Sequence, residues 1–274
     1  MEKKKILFIS QETHPFLPKS EISENALLSP QLAQSEGKEI RAFMPRYGCI
    51  NERRHQLHEV IRLSGQNLSI DDQDYPLIIK VASVSSARIQ VYFIDNDEFF
   101  KRKFVTEDEN GKAFKDNDER SMFFCRGVLE TVKKLGWKPD VIHCHGWFTA
   151  IMALYIKGTY AKDPHFAGTK VIYSLYNNSF DTNWNKRFSD KLKFEGFESD
   201  ITDKITDTSC LSITKLIASY VDGLIMASDA VSPEFQEIFD TATCHKLPYQ
   251  GEEESAAKTL SDFFDKVIEE TVLA

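Results

Sequence analysis

The chain has 274 residues, a length that fits one large α/β domain or two small ones. Its 34 basic and 42 acidic side chains give a net charge of −8, which disfavours general binding to phosphate backbones, and a hydrophobic content of 42% excludes wholesale disorder. No apolar run approaches the roughly 18–20 residues that span a bilayer, and Met1 to Lys5 runs straight into a strand rather than a signal peptide, so the expected address is the cytoplasm, with no membrane partner.

In chain order, Ile6 to Ile9 predicts a fully buried strand. Ile22 to Leu32 predicts a helix with Ile22, Ala26, Leu27 and Leu32 on its apolar face, and Ile40 to Met44 a second strand ended by Pro45. Three strand-like runs follow, Val60 to Leu63, Leu77 to Val84 and Arg88 to Ile94, punctuated by Gly65 and the Asp71-Asp72-Gln73-Asp74 cluster. They predict an antiparallel β excursion beside a parallel sheet. Residues 105–118 are polar and turn-rich and predict an exposed loop. A helix over 118–135 carries Met122, Phe123, Val128, Leu129 and Val132 at core spacing.

Strand Val141 to His143, a helix from Trp147 to Lys157 and strand Val171 to Leu175 come next. Residues 177–208 are polar, aromatic-rich and irregular, and helix 209–220, strand Gly223 to Ala227 and helix 232–239 complete the pattern. Strands alternating with helices imply a single Rossmann-like α/β domain with a mostly parallel sheet and right-handed crossovers. The last segment is separable. Glu252-Glu253-Glu254 opens a helix whose Ala257, Leu260, Phe264, Val267 and Ile268 form one stripe, to be buried against the sheet domain or another chain. The expected division is 1–240 for the α/β domain and 241–274 for a linker and a returning C-terminal helix.

Five scattered cysteines (Cys49, Cys125, Cys144, Cys210, Cys244) without a C-x-x-C pair predict free thiols, with Cys144 a core residue. Twelve glycines are few, and neither G-x-G-x-x-G nor a P-loop occurs. His143 and His145 point the same way on a strand, but no third ligand stands nearby in sequence, so no metal is expected. His55 and His58 fall in a solvated turn or short helix. Trp147 either stacks on a sugar ring or packs under its own helix, and the cluster Tyr173, Tyr176, Phe180 and Trp184 is either a carbohydrate platform or the cover of a hydrophobic edge. No serine nucleophile elbow is present.

Five segments carry a resemblance. They are Ile6-Leu7-Phe8-Ile9-Ser10-Gln11-Glu12-Thr13-His14-Pro15-Phe16, Met44-Pro45-Arg46-Tyr47-Gly48, Val91-Tyr92-Phe93-Ile94-Asp95-Asn96, the run Lys138 to Trp147 with its His143-Cys144-His145-Gly146-Trp147, and Ser228-Asp229-Ala230-Val231-Ser232-Pro233-Glu234. In this order and spacing the chain resembles the N-terminal half of bacterial glycogen and starch synthases that use ADP-glucose. The resemblance implies half of a GT-B glycosyltransferase, the half that mainly holds the glucan acceptor. It implies glucosyl transfer from ADP-glucose to an α-1,4-glucan, with ADP-glucose as substrate, an α-glucan or maltooligosaccharide as partner, and no cofactor. The stretch after Pro233 is too short for the family's nucleotide-binding domain, so an internal deletion that kept the closing helix is expected.

The resemblance also assigns residues. The family's Lys-Thr-Gly-Gly-Leu loop falls on Pro18-Lys19-Ser20-Glu21-Ile22, which puts Lys19 one position out of register, Ser20 and Glu21 on the glycines, and a carboxylate where a diphosphate belongs. Its His-Asp-Trp becomes His145-Gly146-Trp147. Tyr176, in Ser174-Leu175-Tyr176-Asn177-Asn178, occupies the position of a histidine near the transferred glucose. Lys19, Ser20, His145, Trp147 and Asn177 are the implied substrate-binding residues. Two readings remain: a synthase-family transferase, or a non-catalytic glucan-binding or regulatory protein that works with a protein partner. A site completed across a homodimer is a third.

Overall fold

The computed structural model describes residues 3–177, 180, 183–251 and 255–269. The first apolar run forms β1 (Lys5–Ser10), and the sheet grows outward from it on both sides. Ser20 caps the following helix, α1 (Glu21–Ser35), by accepting from the Ser23 amide at 3.1 Å, and the helix continues through Pro30 to lead into β2 (Glu39–Pro45). The excursion comprises α2 (Glu52–His55), β3 (His58–Glu59), β4 (Gln66–Ile70), β5 (Gln73–Val84) and β6 (Ile89–Asp95). β5 runs antiparallel to β3, β4 and β6, while β6 lies parallel to β2.

One expected strand is displaced. Val60 to Leu63 forms a turn closed by the Leu63 amide on the Val60 carbonyl at 2.9 Å, with Ile61 82% exposed. β4 takes its place, and there Leu68 and Ile70 are buried while Asn67 and Ser69 face out. Its polar residues hide the alternation in the sequence.

After α3 (Asp97–Phe100), α4 (Asn117–Lys134) crosses back to β7 (Val141–His145), which pairs with β1 on the side opposite β2. A 3-10 turn (Trp147–Thr149) and α5 (Met152–Lys157) split the single helix expected there, and β8 (Lys170–Leu175) extends the sheet. The irregular span contains α6 (Phe188–Phe194) and α7 (Ser199–Thr202). Then come α8 (Cys210–Ala218), β9 (Gly223–Met226), α9 (Pro233–Thr241), β10 (His245–Leu247) and α10 (Ala256–Glu269). The sheet order is β10-β9-β8-β7-β1-β2-β6-β5-β3, parallel from β10 to β6, with β4 attached to β5. The fold is the single, mostly parallel α/β domain with an antiparallel excursion.

The stretch after residue 240 holds more than a linker and a helix. β10 pairs in parallel with β9, His245 opposite Gly223. α10 then returns to α1, where Lys38 meets Asp265 at 2.5 Å and Phe264 packs on Phe8 and His143 at 6.1 and 5.6 Å. Its apolar stripe is therefore buried against this chain's own sheet. Glu252 to Glu254 lie outside the described residues.

Candidate functional site at the strand ends

Strand order reverses beside β1, which has β2 on one side and β7 on the other, and a parallel sheet leaves a crevice at the C-terminal ends of such strands. Two loops meet there. The Gln11 amide donates to the His145 carbonyl at 3.0 Å, and Gln11 Oε1 accepts from the Phe148 amide at 3.3 Å. Gly146 sits at φ +83°, and a Cβ on it would come within 3.0 Å of Gln11 Cβ. Glycine is required by both the backbone and the close approach.

At the start of α1, Ser20 Oγ donates to Glu12 Oε2 at 2.5 Å. Lys19 turns to solvent and pairs with Glu24 at 2.7 Å. Glu21 accepts a hydrogen bond from the Ser228 hydroxyl, whose oxygen accepts from the Asn177 amide at 2.9 Å. The beginning of α1 and the ends of β8 and β9 are thus tied through one carboxylate. A helix N-terminus favours an anion, and here the protein's own Glu21 supplies it. Asn178 lies outside the described residues.

His145 and Tyr176 are joined by a 2.7 Å hydrogen bond between Nδ1 and the phenol, and His143 Nε2 lies 2.8 Å from Ser174 Oγ. The two imidazoles are adjacent, with centroids 4.1 Å apart, and both are buried. Burial pushes the His145 pKa down to about 3. Burial, and secondarily His145, pushes that of His143 well below its ordinary value. Burial raises the Tyr176 phenol. All three are neutral at pH 7, so this cluster offers hydrogen bonds rather than charge. Among the described residues, no group of three or more histidine, cysteine or acidic side chains is arranged to hold a metal.

Trp147 is 4% exposed, packed against Phe180, Phe148 and Trp184 with centroids 4.9, 5.5 and 6.1 Å away. It supports the neighbouring aromatics from beneath. Phe180 and Trp184 stack nearly in parallel, 5.2 Å apart at 7°, and line an open cavity of about 270 Å³ with Phe114, Asn117, Asn183 and Asn185. Among the described residues, the buried Trp184 Nε1 has no hydrogen-bond partner. Of the implied site residues, His145, Tyr176 and Asn177 gather at the ends of β7 and β8, Ser20 caps α1, and Lys19 stands apart from them. Gln11 and Ser228 lie in two of the resembling segments, but their contacts carry no sequence signal, because the partners lie 137 and 207 positions away. Phe114 joins the aromatic cavity from a loop distant in sequence.

Residues 5–253 match the family model described as the starch synthase catalytic domain, and the chain belongs to that family. It is similar to the glycogen synthase of Chlorobium limicola, 40% identical over 174 residues, covering 63% of this chain and 36% of the relative. It is also similar to that of Chlorobaculum tepidum, 36% identical over 222 residues, covering 75% and 46%. The chain thus spans less than half the length of these relatives. The catalytic domain of starch synthase IV from Arabidopsis thaliana, bound to ADP and acarbose, shares the fold with a TM-score of 0.70 at 17% identity, over 90% of this chain and 51% of that one. Among the described residues, no helix is long and apolar enough to cross a membrane.

Proposed function

We propose that this chain binds an α-1,4-glucan in its aromatic cavity and holds no sugar nucleotide at the α1 loop. The observation that carries the reading is the Phe180–Trp184 stack, open to a cavity of about 270 Å³ edged with asparagines. A glucose ring presents an apolar face to such a surface and hydroxyls to the amides at its rim. The fold-sharing starch synthase IV domain is bound to ADP and acarbose, which supports a saccharide ligand here.

The donor side argues differently. Transfer from ADP-glucose requires donors or cations around the departing diphosphate and stabilisation of the sugar cation. The resemblance puts Glu21, bonded to Ser228, at the family's glycine loop and Tyr176, whose pKa burial raises, at the position of a family histidine. A glucan-binding or regulatory protein of glycogen metabolism, located in the cytoplasm, fits these residues best. Family membership favours a second reading, glucosyl transfer with the diphosphate held by groups outside the α1 loop, from a protein partner or a second copy.

Calorimetric titration with maltoheptaose tests the proposal. Saturable binding is expected, weakened at least tenfold by Trp184→Ala and retained by Trp184→Phe. Trp184 is buried, so Asn183→Ala, at an exposed position, serves as the variant that leaves the core alone, and it too is expected to weaken binding. Absence of maltoheptaose binding, or equal affinity in all three variants, overturns the assignment.

A further inference from the structure

Among the described residues, Arg120 is the largest side chain wholly hidden from solvent, and it carries a charge. It stands on α4, three residues past Asn117. Among the described residues no carboxylate pairs with it, because the nearby Asp116 pairs with Arg102 instead. Burial lowers its pKa to about 10. An apolar side chain would fill the same space without that desolvation penalty, so the role of the charge lies in what it bonds. Nε donates to the Phe99 carbonyl at 2.8 Å and Nη1 to Asn117 Oδ1 at 2.7 Å. The Asn117 amide nitrogen in turn donates to the Thr106 carbonyl at 2.8 Å, which also accepts from the Phe114 amide at 3.0 Å. The Arg120 guanidinium lies over the Phe114 ring, 5.1 Å from its centroid. A second guanidinium, that of Arg102, lies over the same ring at 4.6 Å and forks onto Asp116 at 2.7 and 2.6 Å.

We propose that Arg120 is a positioning residue of the aromatic cavity, holding the Phe114 ring where a glucan seated on the Phe180–Trp184 stack meets it. This inference rests on the glucan reading above. Arg120 is wholly buried and touches no ligand itself; it acts through Phe114, which lines the cavity. Phe114 belongs to the stretch between α3 and α4, whose described backbone forms no helix or strand beyond an isolated bridge from Glu107 to Ala113. A half-buried ring on such a stretch has many placements open to it, and ordering it only at binding would weaken affinity. Arg120 orders it beforehand. The relay through Asn117 and Thr106 fixes the backbone, and the cation–π contact fixes the ring. A guanidinium can do both together, because its planar fork gives separate donors to Phe99 and Asn117 while its face rests on the ring, whereas an ammonium is a compact point charge. Arg102 adds a second hold on the same ring.

Two measurements on the full chain test this: calorimetric titration with maltoheptaose, and the 19F signal of a fluorine label on the Phe114 ring. Arg120→Met is expected to weaken maltoheptaose binding at least tenfold and to move the fluorine line towards its position in the urea-unfolded chain. Arg120→Lys is expected to fall between Arg120→Met and wild type in both. Arg120 lies in the core, so Arg102→Leu, at a partly exposed side chain, serves as the variant that leaves the core alone. It is expected to weaken binding about threefold and to move the line in the same direction. Phe264→Leu, on α10 against Phe8 and His143, lowers stability elsewhere and is expected to change neither the line nor the affinity, which separates positioning from a general loss of stability. A wild type that binds no maltoheptaose overturns the glucan reading and the role of Arg120 with it. A wild type that binds, with wild-type affinity or an unmoved fluorine line in both Arg120→Met and Arg102→Leu, overturns the inference alone and leaves the glucan reading standing.

Discussion

Glu21 shows how one side chain redirects a site. Its carboxylate is held by the Ser228 hydroxyl, which is in turn fixed by the Asn177 amide. The first turn of α1 thus carries a carboxylate tied to the end of β9. The sequence discloses the charge but not its bond to Ser228, 207 positions away. Gly146 is similar: the resemblance implies an aspartate between His145 and Trp147, whereas the structure shows a glycine at φ +83° against Gln11. Gly146→Ala is expected to cost about 1–3 kcal/mol, read as a lower urea midpoint at unchanged m value. The buried histidines set a pH dependence. Their folded pKa values lie below the unfolded value, to about 3 for His145, so below about pH 6.5 the unfolded chain binds more protons than the folded one. The stability they contribute is complete above pH 6.5 and is lost as pH falls towards 3, at up to about 1.4 kcal/mol per pH unit for each histidine. Urea unfolding between pH 4 and 7 should therefore be steeper in pH for wild type than for His143→Gln.

At the scale of elements, α4 and α6 are joined by a buried charge cluster. Lys191 on α6 reaches Asp118 at 2.6 Å and Glu119 at 2.5 Å on α4, with Lys191 and Asp118 almost wholly buried. Burial works against the ammonium, but the two carboxylates outweigh it and hold its pKa above the ordinary lysine range. Lys191→Met leaves Asp118 buried and unpaired, which is expected to cost about 3–5 kcal/mol. Adding Asp118→Asn should recover part of that loss in a double-mutant cycle. Long periodic elements such as α1, α4, β1 and β7 were legible because their apolar spacing is set by the face they bury. β4 and β10 were not: β4 is rich in polar residues, and β10 has three residues whose pairing depends on β9. α10 announced an apolar stripe, but its partner, the α1 side of the same sheet, became visible only in three dimensions.

At the scale of the whole molecule, an open parallel sheet carries two kinds of surface. One is the strand-end cluster of Glu21, Ser228, Asn177, His145 and Tyr176, whose polar groups largely satisfy one another. The other is the Phe180–Trp184 cavity, built from segments on either side of β7 and left open. Family membership was legible in five short motifs spread along the chain. Which surface remains available was not, because that depends on hydrogen bonds between residues far apart in sequence. The account turns on this difference between the two surfaces. Paired calorimetric titrations of one preparation, with maltoheptaose and with ADP-glucose, compare them directly. Saturable heat from the glucan with none from the nucleotide sugar is the predicted result, and saturable binding of ADP-glucose with none of maltoheptaose would contradict it.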